Sequence, residues 1–151
     1  MSLNEEVELL RRIPMFAKVD PAKLKLLAFA SERITFEAGQ ELFRQGDVAD
    51  AAYIIIEGAA EVIIDTPRGP ITVATLGVND FVGEIGIICD VPRTATVRAV
   101  ARLTTLKITK ELFLQMISDF PAMAVEIMRV LAQRLEHTNM RLRETPADAD
   151  S

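Results

Sequence analysis

Glu84 and Arg93 stand inside an apolar segment that runs from Phe81 to Val97 and opens on a glycine turn. Gly83 lets the backbone pass close to a ligand, because no Cβ stands in the way. If Glu84 to Ile88 forms a helical turn, its first amides lack intrahelical partners and favour an anion such as a phosphate. Pro92 fixes its own φ just before Arg93, and the alternation Thr94-Ala95-Thr96-Val97 reads as a strand starting there. The guanidinium is thus held at a defined place, where its planar fork matches two phosphate oxygens at once. A carboxylate so close to an anion repels it unless it turns away and accepts from a neutral hydroxyl, such as a ribose 2′-OH. Taken singly, a Gly-Glu pair reads as a tight turn with a solvated acid, and a Pro-Arg-Thr as a strand start with a weak surface ion pair. Together they can hold the two ends of one sugar phosphate.

The run Phe81-Val82-Gly83-Glu84 and the later Pro92-Arg93-Thr94-Ala95-Thr96 resemble the phosphate cassette of the cyclic nucleotide-binding domain family. Val82 between Phe81 and Gly83 is similar to the catabolite activator branch of that family. The resemblance implies that Glu84 holds the ribose hydroxyl and Arg93 the exocyclic phosphate oxygens. Gly83, Ile85, Thr94 and Ala95 then complete the cradle beside them. Arg134-Leu135-Glu136-His137-Thr138-Asn139 resembles the hexapeptide with which the activator branch closes over the base. On that likeness Thr138 and Asn139 hydrogen-bond the purine, Asn139 reaching across from a second subunit. The implied ligand is cAMP or cGMP, with no further cofactor.

What must position these residues is legible in outline. The chain has 151 residues, 50% hydrophobic and 26% charged, which fits one domain with a sizeable core. Residues 1–31 read as N-terminal helices, with Leu9, Leu10 and Ile13 on one face. In the second helix Asp20 caps, Pro21 sits at the first position, and Leu24, Leu27 and Phe29 supply apolar contacts. Residues 32–108 carry short β-type runs at Ile34–Phe36, Glu41–Phe43, Ala51–Ile56, Ala60–Asp65, Ile71–Leu76, Thr94–Val100 and Leu103–Ile108. Gly39, Gly46, Gly58, Gly69 and Gly77 fall between them. Read alone these runs imply a sandwich or barrel; the resemblance implies a mainly β fold, a double-stranded β-helix or jelly-roll barrel flanked by N-terminal helices and a long C-terminal helix. The turns Arg44-Gln45-Gly46-Asp47 and Ile56-Glu57-Gly58 resemble those of the family's β-roll. Residues 109–144 read as C-terminal helices broken at Phe120-Pro121, and 145–151 as a polar tail.

On the final helix Met123, Ile127, Val130, Leu131, Leu135, Thr138 and Leu142 recur at three- and four-residue steps. This stripe is longer than a small β-roll can cover and predicts a homodimer; the other reading folds the helix back over its own barrel.

The inventory argues against catalysis. His137 is the single histidine, so no histidine-rich metal cluster can form, and it lies far in sequence from the single cysteine, Cys89. Cys89 permits no internal disulfide, is expected to be packed, and fits a cytoplasmic setting. Asp47 and Asp50 read as isolated turn acids. The net charge of −5 signals no basic face for direct nucleic-acid contact, and no apolar run suits membrane insertion.

The function expected is a cyclic nucleotide sensor whose terminal helix moves on binding and drives an unidentified downstream protein or domain. It stands alone or belongs to a larger protein. The alternative is a degenerate relative that serves as a ligand-free dimerisation or interaction module. On the sensor reading, Arg93→Ala weakens binding and leaves folding nearly unaffected.

Overall fold

The computed structural model describes residues 3–13 and 16–144, with side chains placed over residues 4–13 and 16–135. Two helices come first, α1 (Leu3–Arg11) and α2 (Pro21–Ala30). Asp20 caps α2 by accepting from the Ala22 amide at 2.9 Å, with Pro21 in the first turn, as its residue order dictates.

Eight strands follow: β1 (Glu32–Phe36), β2 (Glu41–Phe43), β3 (Ala51–Glu57), β4 (Ala60–Thr66), β5 (Gly69–Leu76), β6 (Phe81–Val82), β7 (Thr96–Ala99) and β8 (Leu103–Thr109). They form two antiparallel four-stranded sheets in the orders β1-β8-β3-β6 and β2-β7-β4-β5. This is the mainly-β fold with flanking helices that the family resemblance implies. Three helices complete the chain: α3 (Glu84–Ile88) between β6 and β7, then α4 (Lys110–Asp119) and α5 (Pro121–Glu144).

Strand β3 explains how the layers join. Its alternate residues Ala51, Tyr53 and Ile55 face the roll interior with Leu42, Leu76, Val82, Val97 and Leu103. Ala52, Ile54 and Ile56 face the other way, into a core shared with Leu10, Leu24 and Leu27 of the N-terminal helices and with Phe113, Met123 and Ile127 of the C-terminal ones. A strand covered on both faces must be apolar throughout, which is why Ala51 to Ile56 reads as an unbroken apolar run rather than an alternation.

Several expectations change. Phe29 does not join the core: it is 80% exposed on the outer side of α2, while Leu24 and Leu27 are buried as expected. Cys89 is exposed, because it ends α3 at the surface. The strand expected from Thr94 starts at Thr96, since Arg93 exchanges backbone hydrogen bonds with Gly46 and Asp47 instead of joining the ladder. The apolar stripe of α5 also divides. Met123 and Ile127 are buried in the domain's own core, with Val130 and Leu131 packed against it, whereas Leu135 is 63% exposed. Met123, Ile127, Val130 and Leu131 therefore fold back over the domain's own core. Thr138 and Asn139 have side chains outside the described residues. Among the described residues no helix is long and apolar enough to cross a membrane.

Candidate functional site

Strand β6 ends at Val82, and the chain turns through Gly83 into α3. Gly83 has φ of 92°, a left-handed conformation that glycine adopts without strain. A Cβ there would also lie 2.7 Å from Arg93 Nη1 and 3.1 Å from the Ala51 carbonyl oxygen. Gly83→Ala is therefore expected to destabilise the domain by more than the roughly 1 kcal/mol of an ordinary left-handed replacement, read as a fall in the urea midpoint.

The turn carries Glu84 inward. Its carboxylate is 1% exposed, and Oε1 accepts from Arg134 Nη1 at 3.0 Å. Burial raises the carboxyl's pKa above the usual carboxylate range, and the Arg134 guanidinium opposes that rise without cancelling it. Arg134 also donates through Nη2 to the Phe81 carbonyl at 2.6 Å and lies over the Phe81 ring, 4.8 Å from its centroid. One guanidinium thus pins α5 to both the strand and the helix of the cassette.

Arg93 enters the same region from the loop before β7 and is 3% exposed. Nη1 donates to the Gly83 carbonyl at 2.7 Å and Nη2 to the Ala51 carbonyl at 2.6 Å, with Asp50 Oδ1 at 3.7 Å from Nη2. The group stacks on Phe43, 3.9 Å from the ring centroid. Burial pulls its pKa below the ordinary arginine value, yet a guanidinium stays charged under such a shift.

Two buried side-chain atoms among the described residues have no hydrogen-bond partner, Glu84 Oε2 and Arg93 Nε. One is an acceptor and the other a donor, and buried polar atoms of either kind are costly to leave unmatched. Both residues line one cavity of about 180 Å³. The structure places Gly83, Ile85, Thr94 and Ala95 on its wall as well, so the cassette residues singled out in the sequence converge. Val62 and Ile64 of β4 with Val73 and Ala74 of β5 make an apolar side opposite them.

Arg134 lines this cavity and carries no site role in the sequence reading. A signal for it exists: after Met123, Ile127, Val130 and Leu131, the next inward step of the helix is position 134. A cation at a core-facing register needs a buried partner, and Glu84 is that partner. Asp50, read as a solvated turn acid, lies close enough to Arg93 to add to its field.

The family model described as "Cyclic nucleotide-binding domain" matches residues 33–120, which include the roll from the second residue of β1 onward and the whole cassette. The chain belongs to the cyclic nucleotide-binding domain family. A family relative, the CRP-like cAMP-activated global transcriptional regulator of Mycobacterium tuberculosis, is 29% identical over 136 residues, 89% of this chain and 61% of that protein. The lysophospholipase NTE1 of Coccidioides immitis is 30% identical over 118 residues, 78% of this chain and 8% of that protein. Among solved structures, the Thermus thermophilus catabolite activator protein superposes with a TM-score of 0.73 at 27% identity, over 86% of this chain and 62% of that one. The chain thus spans about three-fifths of the first relative and a small part of the second.

Proposed function

We propose that this domain is a sensor that binds a 3′,5′-cyclic nucleotide, cAMP or cGMP, in the roll cavity. The observation that carries this reading is that Glu84 and Arg93, one with an unmatched buried acceptor and the other with an unmatched buried donor, line one cavity. A cyclic ribose phosphate presents a hydroxyl donor and an anionic acceptor on one rigid ring. Glu84 Oε2 takes the 2′-OH, and Arg93 Nε faces the phosphate with the cassette amides around Gly83, Ile85, Thr94 and Ala95. The apolar side formed by Val62, Ile64, Val73 and Ala74 suits the faces of a purine. The domain binds and regulates, and the chemistry of any longer protein lies in other segments. The fit with the M. tuberculosis relative, whose name includes cAMP, supports the same ligand class.

Helix α5 is the output element, because Arg134 connects it directly to the carboxylate that meets the ribose. A ligand hydroxyl that donates to Glu84 alters what Arg134 holds, and the equilibrium shifts by the difference in affinity between the two helix positions. Outward on α5, Val125, Met128 and Leu135 are 49%, 61% and 63% exposed and follow a heptad-like spacing with Ala132. This face, rather than the inward stripe, is the one through which two copies would pair. Base contacts from Thr138 and Asn139, with Asn139 crossing that seam, belong to the same proposal.

Isothermal titration with cAMP, cGMP and their 2′-deoxy analogues tests the reading. Binding of at least one cyclic nucleotide is expected, with the 2′-deoxy form weaker. Glu84→Gln should lose most of that discrimination while still binding. Absence of heat and of any rise in melting temperature at millimolar ligand would replace the sensor with the ligand-free module. One observation favours that second reading: Arg93 and Glu84 already have protein partners, so the cassette holds its shape through its own contacts.

A further inference from the structure

Helix α2 is apolar on two opposite faces and covered on one. Leu24, Leu27 and Ala28 are 0%, 1% and 4% exposed against the core. On the other side Leu26 and Phe29 are 61% and 80% exposed, and at 3.6 residues per turn they share a stripe with the exposed Ala22 and Ala30. A helix apolar all round is normally covered all round, so the outer stripe marks a surface that another element completes.

We infer that the outward face of α2 docks a partner helix whose apolar stripe is flanked by acidic residues. The charges beside the stripe select this occupant. Lys23 borders it on one flank and Lys25 on the other, both exposed, with Lys18 exposed just before the helix. No carboxylate among the described residues pairs with any of the three. An apolar seam flanked by lysines is the arrangement by which helices choose a partner carrying glutamate or aspartate at the facing positions. Two copies of α2 face to face set lysine against lysine, so self-pairing through this face is disfavoured. An anionic membrane is the weaker occupant, because the whole chain carries a net charge of −5 and α2 offers only Leu26 and Phe29 for insertion.

The test uses the 151-residue chain and a side-chain-stapled synthetic helix with leucines at i, i+3, i+4 and i+7 and glutamates on both flanks. The same helix with lysine flanks, and vesicles of phosphatidylserine and phosphatidylcholine, are the comparisons. Fluorescence anisotropy should show the glutamate-flanked helix binding roughly tenfold or more tightly than the lysine-flanked one, with the difference shrinking as salt rises. Phe29→Ser should abolish binding without lowering the melting temperature, since the ring is exposed. Lys23→Glu with Lys25→Glu should invert the flank preference. Equal binding of both helices, or none, overturns the proposal. Vesicle binding that Phe29→Ser removes, with neither helix bound, overturns it in favour of a lipid surface.

Discussion

Arg93→Ala is expected to cost the domain about 3–5 kcal/mol of folding stability and to weaken cyclic nucleotide binding about 30- to 1000-fold. The first effect follows from contacts within the protein. Removing the side chain leaves the Gly83 and Ala51 carbonyls without their donors and strips the Phe43 ring of its cation. Each buried acceptor left unmatched costs about 1–3 kcal/mol. This reverses the expectation, drawn from the sequence, that folding is nearly unaffected. The second effect follows from the proposed phosphate contact, where a charge-assisted bond is lost. Urea unfolding gives the stability term and titration of the folded fraction gives the affinity term, so the two separate. Full affinity in that fraction would make Arg93 a tie between β3 and the cassette and nothing more. Unchanged stability would show that the carbonyl contacts contribute little.

Arg134→Ala is the second large effect, and its sign depends on pH. The substitution leaves the buried Glu84 carboxylate without the guanidinium that donates to it and frees the Phe81 carbonyl. Breaking a buried pair from one side costs about 3–5 kcal/mol; Arg134 is 25% exposed along its side chain, so solvent screening moves the expectation to the lower end. Glu84 already has its folded pKa raised by burial, and Arg134 is the largest influence opposing that rise. A carboxyl with a raised folded pKa stabilises the fold below its unfolded value, and this contribution is lost as the pH rises through the folded value. In Arg134→Ala the folded value rises further, so the variant should approach the parent's stability in acid and fall away from it towards neutral pH. Glu84→Gln on top of Arg134→Ala should restore most of the loss and flatten the pH dependence. A pH-independent loss that the double substitution does not restore would locate the damage in the Phe81 contact.

These two variants describe opposed demands on one carboxylate. Acceptance from a ribose hydroxyl needs Glu84 ionised, so binding should strengthen as pH rises through its folded pKa. Over the same range its contribution to folding weakens. Glu84→Gln is accordingly expected to flatten the pH dependence of the melting temperature while lowering discrimination for the hydroxyl. A buried acid whose burial opposes its ionised form fits a group retained for what it meets in the cavity.

The cassette was legible in the sequence because its chemistry is local. Gly83, Glu84, Arg93 and Thr94 lie in one short segment, and the turn, the helix and the proline that aim them are encoded beside them. The roll was legible for a related reason: short β-type runs between turn residues leave few ways to bury their faces. Even the buried strand β3 announced itself, through apolar residues on both of its faces.

Tertiary structure decided what depends on distant partners. Glu84 and Arg134 are 50 residues apart, and Arg93 and Ala51 are 42 apart. Nothing in a local pattern states which carbonyl a guanidinium will find. Helices α2 and α5 show the same limit, since each carries apolar residues on two sides and periodicity alone gives a stripe without saying which side meets the core. Phe29 turned outward and Met123 inward because the roll and the other helices had room for only one face of each. Residue types and spacing determined what the site is made of; packing across the chain determined which groups were matched and which two buried atoms were left without partners.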